Sequence, residues 1–579
     1  RDRSVSRGLG DVYKRQKFAA FFFLYSMYAI LFLKASIGCL SYFYCQDVDM
    51  RDSKPPKVPK ASRPPKPPKV PKQPKPSKAS KQANSSPFAA YAASLSPTDK
   101  AYLDDFLYDI RRHLALSKRE NQQILDDFSA ALLYYHHVGL SLQEACDRLG
   151  VENLGGFYAR PPVLWYSLDD AAKIYPLAMK HGQMSVFRLS AYLKEPVVPQ
   201  LLQMALTFTI KRFPFFATTV KKGFFWHYLD TAKGRYTLEP EQEIPCQPLR
   251  ISRSGSKSFR VLYYNNRVSV EYFHILTDAT GGITFLKTLL GVYLRLLGHK
   301  IQPAPQLGVL DPNELPTPQE AANEFPHAKT GTKASGFTGR PALQLNGALS
   351  RRKPCYVLHF RLDAAALKQV AQTNHATVTA YILALLFLAA KASNDELTGD
   401  FSIQVPVNMR KFHPSHTLRN FSMYCGVRLP LSQVTGLQDI LPEISQQLAL
   451  RAAQDAMDDM VLATESLVGS LRLVPLFIKA PLARILFGFL GDTLYTTTLS
   501  NLGVVQLPPD MAPHVDSLDF LLGTAVINRV SCAMVTYQNT ATLSLSKQTL
   551  DPSFEDALYV LLSRDGLLPR VEGSPIYEN

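Results

Sequence analysis

From Phe259 to Leu297 the sequence runs strand, turn, strand, turn, helix without a break, and no other stretch constrains the fold as tightly. Phe259 to Phe273 alternates as two strands meeting at Asn265-Asn266, a tight hairpin turn. HILTDATGG follows as a polar turn, and Gly282 to Leu297 then carries leucines along one helical face. The same alternation of strand and helix starts near Tyr158. Val186 to Leu193 reads as a strand and Pro199 to Phe213 as a helix. Further on come a strand at Tyr356 to Leu362, a helix pair within Ala364 to Ala390, and strands at 402–408, 423–430, 525–536 and 540–546. A helix from Ser553 closes the series. The expected class is α/β: two halves of mixed sheets flanked by helices, joined by the Pro- and Gly-rich stretch Ile301 to Leu349.

Charge separates this part from what precedes it. The chain has 579 residues and a formal charge of +16, but 51–83 holds eleven Lys/Arg against one acid, and 84–579 carries only +3. A basic tail on a nearly neutral globular part argues against a nucleic-acid-binding face. Within the tail, Lys or Arg recurs at every third position from Lys54 to Lys81, with prolines between. Polyproline II has three residues per turn, so the cations would share one edge. A stiff, solvated, disordered linker over 51–87 is the reading preferred over attachment to anionic lipid.

Residues 1–50 are doubtful. Asp11 to Gln16 can be read as a translated transposon end from sequencing-library preparation, and Phe18 to Cys45 is apolar apart from Lys34. Two readings stand for that stretch: a membrane helix, or translated non-coding sequence ahead of a start near Met50. Ser96-Pro97-Thr98-Asp99 opens a small helical unit over 96–156, with an N-cap and an N1 proline. Its closing GLSLQEACDRLG resembles the HAAS-type helical domain. The seven cysteines are scattered and odd in number, with no CxxC and no metal-ligand spacing, which reads as free thiols in a reducing, cytoplasmic setting.

Among 13 histidines, two have an aspartate four residues on: His274 with Asp278, and His359 with Asp363. His359 lies inside an alternating strand, and Asp363 stands where it would cap the helix beginning AAALKQ. His274 ends a strand and enters a tight turn, a setting that exposes an imidazole at a sheet edge. Histidine, with an ordinary pKa of about 6.5, is an economical general base for taking a proton from a hydroxyl. The doublet His136-His137 has Ser141 where an aspartate is needed and is assigned to the helical unit.

HILTDATGGITFLKTLL resembles the HxxxD(G) signature of the chloramphenicol-acetyltransferase-like and condensation-domain superfamily, closest to its bacterial alcohol acetyltransferase branch. Other segments resemble that family in order: LDDAAKIYPLAM, then FRLSAYLKEPVVPQLLQMALTFTIKRFPFF. After these come Val405 to Arg410 with Leu418 to Phe421, and then Ser500-Asn501-Leu502-Gly503, which is similar to an SNxG motif. The resemblance spans roughly 160–570. It implies two subdomains, 158–300 and 351–570, joined by a crossover at 301–350, with a tunnel between them.

The resemblance also implies roles. His274 would be the general base of transfer from acyl-CoA, the only co-substrate, to a small alcohol or lipid-like acceptor. Asp278 would hold the loop through an unidentified arginine, Gly281 and Gly282 would shape it, and Ser500, Asn501 and Gly503 would bind substrate, with Ser500 or Asn501 facing the oxyanion. No metal and no covalent intermediate are implied. The expected state is a monomer, with weak membrane association through the N-terminal segment. The sequence departs from the pattern at three points: Phe273 precedes His274, Ala279 replaces a glycine, and DFGWG is absent, with Asp519 to Gly523 a poor match. Amide formation, or a degenerate binding module, are the alternatives. Arg472 to Gly491 is apolar but interrupted by Lys479, Pro481 and Arg484, and is read as a buried helix near the tunnel in preference to a membrane-surface element.

Overall fold

The computed structural model describes residues 86–579, apart from 115–116, 156–164, 179–184, 233, 250–255, 329, 332–339, 396–397, 481–491 and 578–579. The expectations for Phe18 to Cys45 and for Lys54 to Lys81 fall outside the described residues. Strands of the first half are β1 (Trp165–Ser167), β2 (Val186–Leu193), β3 (Thr218–Lys222), β4 (His227–Thr231), β5 (Glu239–Pro240), β6 (Ser256–Lys257), β7 (Phe259–Tyr264) and β8 (Arg267–Phe273). Those of the second are β9 (Tyr356–Asp363), β10 (Asp400–Asn408), β11 (Ser422–Pro430), β12 (Thr497–Val505), β13 (Val515–Leu522), β14 (Val530–Tyr537), β15 (Thr540–Lys547) and β16 (Arg570–Gly573).

They form three sheets: β1-β4-β3-β6, β13-β2-β8-β7-β5 and β11-β10-β12-β14-β15-β9-β16. The last is mixed, because β12 runs parallel to both β10 and β14 while its other pairs are antiparallel. The hairpin expected at Asn265-Asn266 is present, with Asn265 in the left-handed region at φ 49°.

β2 is buried on both faces, and its alternation assigns them opposite tasks. Phe187 and Leu189 pack with Tyr272 against the helix Ala279–Leu296. Arg188 points the other way and binds Glu271, which also holds Arg260. A side chain at Gly282 would press on Tyr272, Leu189 and Phe187, so glycine there sets how closely the helix approaches the sheet.

The chain does not divide with one cut at the crossover. After β12 it leaves the second half's sheet, adds β13 to β2 in the first half, and returns as β14. Val515 to Leu522 therefore belongs, by its hydrogen bonds, to the first half's sheet, although it falls within the expected second subdomain. The stretch 301–350 carries only short 3-10 turns among its described residues, yet it is fastened: Glu320 binds Arg212, and its carbonyl accepts from Leu418 N.

The helical segment begins earlier than expected, with a helix at Pro87–Ser94 that starts at the last residue of the stretch read as linker. Its helices share the first half's core: Phe128 meets Phe208 edge-on, and the Tyr135 hydroxyl donates to Leu296 O at 2.7 Å. Ser96 caps its helix as expected. Cys146, Cys246, Cys355, Cys425 and Cys532 are all free and buried. Among the described residues no single helix is long and apolar enough to cross a membrane. Of Arg472 to Gly491, the described part has Leu476 and Lys479 buried but Leu473, Phe477 and Ile478 largely exposed, so the expected burial does not hold for it.

Candidate active site

His274 is the first residue beyond β8. The strand ends because the Phe273 carbonyl turns to accept from Leu276 N, while His274 N donates to Ser185 O at 2.9 Å. The imidazole is then clamped by rings: Tyr175 stacks on it at 5.2 Å between centroids, and Phe187 meets it edge-on at 5.4 Å. Its Nδ1 is buried and has no hydrogen-bond partner. His274 lines a cavity of about 370 Å³, which leaves Nε2 as the nitrogen with access. Burial holds its pKa below the ordinary histidine value, against a smaller upward pull from Asp278 and from its own backbone. That direction favours the neutral imidazole, the form that can accept a proton.

Asp278 makes no hydrogen bond to His274. It caps the helix Ala279–Leu296, with Oδ1 accepting from Thr280 N and Gly281 N, both at 3.1 Å. Oδ2 reaches the second half, accepting from Arg410 at 2.7 Å and from Phe421 N at 2.8 Å. Arg410 is the arginine that sequence could not identify. It is fixed in turn by the carbonyls of Thr417 and Arg419. Thr277 adds a parallel tie, its hydroxyl donating to Leu418 O at 2.7 Å. The turn carrying His274 is thereby locked against the end of β10 and the start of β11.

That lock explains the glycines. An added Cβ at Gly281 would collide with the Leu418 carbonyl and the Thr277 hydroxyl, so only glycine fits at this junction. Ala279, by contrast, is the first helical residue after the cap and has no positive φ. The backbone freedom that a glycine would bring is not called on there, and the departure at 279 leaves the turn intact.

The expected substrate residues are not brought together equally. Ser500 and Asn501 line the same cavity as His274 and Asp278, from β12. Both polar ends of the Asn501 amide are engaged: Nδ2 donates to Thr379 Oγ1 at 3.0 Å and Oδ1 accepts from Gly503 N at 2.9 Å. Ser500 lines the cavity with its hydroxyl free of partners among the described residues. Gly503 is not on the cavity wall. It sits at φ 79° in the bulge where β12 shifts register against β14.

Several wall residues were not singled out from sequence. Tyr175 stands on the helix Asp170–Ala178, capped by buried Asp169, whose carboxyl burial pushes up to about 6 against the pull of Arg419. Tyr424, Gln404 and Thr498 come from the second half, and Phe520, Leu522 and Gly523 from β13 and its exit. Asp519 to Gly523, a poor match to DFGWG, nevertheless supplies the wall through the residues that alternate with Asp519. Among the described residues, the only Asp, Glu, Lys, Arg or His side chains on the wall are His274 and the already engaged Asp278. His359 is elsewhere, bonded to Ser544 Oγ at 2.9 Å and 3.8 Å from Asp519.

No family model and no curated protein matches the chain. Solved structures do resemble it. One is the trichothecene 15-O-acetyltransferase of Fusarium sporotrichioides, at 12% identity and TM-score 0.46, covering 70% of this chain and 94% of that one. Another is polyketide synthase associated protein 5 of Mycobacterium tuberculosis, at 13% identity and TM-score 0.48, covering 69% and 98%. A third is the first condensation domain of the CDA synthetase, at 12% identity and TM-score 0.45, covering 69% and 94%. None of these likenesses assigns a role to a residue of this chain.

Proposed function

We propose that this protein transfers an acyl group from acyl-CoA to the hydroxyl of a small, uncharged acceptor, with His274 as general base. The observation that carries the reading is an imidazole at a strand end, clamped by two rings, lining a cavity that among the described residues holds no other Asp, Glu, Lys, Arg or His side chain but the engaged Asp278. The thioester donor is what the HxxxD resemblance implies.

The chemistry follows from that placement. Nε2 takes the acceptor's proton as its oxygen attacks the thioester carbonyl. The tetrahedral intermediate collapses with loss of the CoA sulfur, and the imidazolium returns the proton to the thiolate. The Ser500 hydroxyl, the uncommitted donor of the SNxG segment, is the group we assign to the oxyanion. Asp278 acts as a positioning residue, since both its oxygens serve the turn and the second half. Tyr175 and Phe187 fix the ring plane and exclude water.

The wall favours an alcohol over an amine. An alkylamine has a pKa near 10 and arrives as an ammonium, whose nitrogen has no lone pair for attack until it has lost a proton. Nor does the wall hold a free carboxylate to receive it. Thiol release from acetyl-CoA should therefore respond to neutral alcohols and stay near background with amines of the same carbon skeleton. Release that follows the amines instead would overturn the alcohol assignment while keeping His274 as base.

A further inference from the structure

Away from the cavity, the turn between β3 and β4 projects an apolar tip. Phe224 is 66% exposed and touches Phe225 edge-on at 4.8 Å between centroids. Beside it, Leu476 N donates to Phe224 O at 2.8 Å, and Phe477 lies 6.5 Å from Phe224. Leu473, Phe477 and Ile478 add exposures of 80%, 69% and 50% on that segment, and Trp165 adds 64% on neighbouring β1. Exposed apolar side chains gathered on one turn and on the segment bonded to it mark an interaction surface.

Its charges select the partner. Asp170 and Asp230, the acids alongside, are taken up by Lys173 and Lys221. Lys222 and Arg472 flank the aromatic tip without an ion-pair partner among the described residues. A symmetric contact between two copies would set these cations against their own kind. A convex aromatic tip with flanking cations fits a surface that is apolar inside and anionic at its face. We infer that the β3–β4 tip and the segment from Arg472 to Ile478 dock the protein on an anionic phospholipid bilayer, with Phe224, Phe225 and Phe477 inserted among the acyl chains. The patch also reaches the active-site wall: Leu476 packs with Trp226 of the same turn and with Leu177, which lies on the helix that carries Tyr175. Docking nonetheless stands independently of acyl transfer.

The chain provides its own reporter, because its two tryptophans, Trp165 and Trp226, both lie here. Full-length protein should show a blue-shifted tryptophan emission on phosphatidylcholine vesicles containing phosphatidylglycerol, with quenching by brominated acyl chains. Replacing Phe224, Phe225 and Phe477 together by Ser should raise the lipid needed for half-maximal quenching by about tenfold or more. Lys222→Gln with Arg472→Gln, which leaves the apolar groups in place, should weaken the response to anionic vesicles alone. Emission that does not move while the protein sediments with vesicles would overturn the proposal and move lipid contact to the basic tail. An equal response without phosphatidylglycerol, or a lipid-free blue shift that grows with protein concentration, would overturn it too.

Discussion

His274–Asp278 and His359–Asp363 share one spacing, and the structure shows how much of that spacing is generic. In both, a histidine at or near a strand end is followed by an aspartate that caps the next helix: Asp278 accepts from Thr280 and Gly281 N, and Asp363 from Ala366 N at 2.8 Å. The difference lies in what remains after capping. His359 still lies within β9 and is bonded by Ser544 on the neighbouring strand, and the free oxygen of Asp363 is taken by Asn539. His274 has left the sheet and keeps no side-chain partner, while the free oxygen of Asp278 crosses to Arg410. The pattern encodes a strand-to-cap geometry. On the function proposed above, chemistry is added only where the imidazole is released from the sheet and its turn is fixed from the other half.

The sharpest way to break this comparison is to remove each imidazole. His274→Ala should lower kcat/KM for acyl transfer by about 10²–10⁴-fold, the usual loss for a positioned base, and His359→Ala should stay close to the parent. Thiol release measures both, and equal losses would show the two sites are not distinct. The pH profile sharpens the same point. A base works only when unprotonated, so the rate falls as pH drops through the His274 pKa. Burial sets that pKa below the ordinary value of about 6.5, and the acidic limb should lie there. Asp278→Asn removes a charge that pulls the pKa up, so the limb should move further down. A limb that stays in place would mean the carboxylate is not felt at the ring.

The contrast also marks how far sequence could reach. β2 and the hairpin of β7 and β8 were legible at their observed ends, because short-range alternation and a turn dipeptide determine them. The capping role of Asp363 was legible for the same local reason. Arg410 was not: its tie to Asp278 joins residues 132 apart, and nothing local distinguishes it from other arginines. Tyr175 reads as one more apolar helical residue until the fold lays it on His274. β13 was missed because Asp519 breaks its apolar run, and that buried carboxylate is offset by Arg361 and His359, which reach it from β9. The ties of Asn501 to Thr379 and Gly503 were not legible either, since the first joins residues 122 apart.

The two aspartates give the next test, on stability. Asp278→Ala removes a cap and strands Arg410 in a largely buried setting, where breaking an ion pair costs about 3–5 kcal/mol. Asp363→Ala removes an exposed cap and should cost clearly less. Denaturant midpoints compare them, and comparable shifts would mean that the tie to Arg410 adds little to capping.

The smallest effect is expected at the position where the sequence departs from the HxxxD(G) pattern. If residue 279 had to take up a left-handed backbone, Ala279→Gly would relieve strain and raise both stability and rate. In the structure Ala279 opens the helix with no positive φ, and the turn is held instead through Thr277, Asp278 and Gly281. Glycine there should only add unfolded-chain entropy, a loss of up to about 1 kcal/mol with kcat unchanged. A gain in kcat would show that the loop is not at its best with alanine, and would shift the distinction between the two histidines from the lock at Arg410 to the backbone of the turn itself.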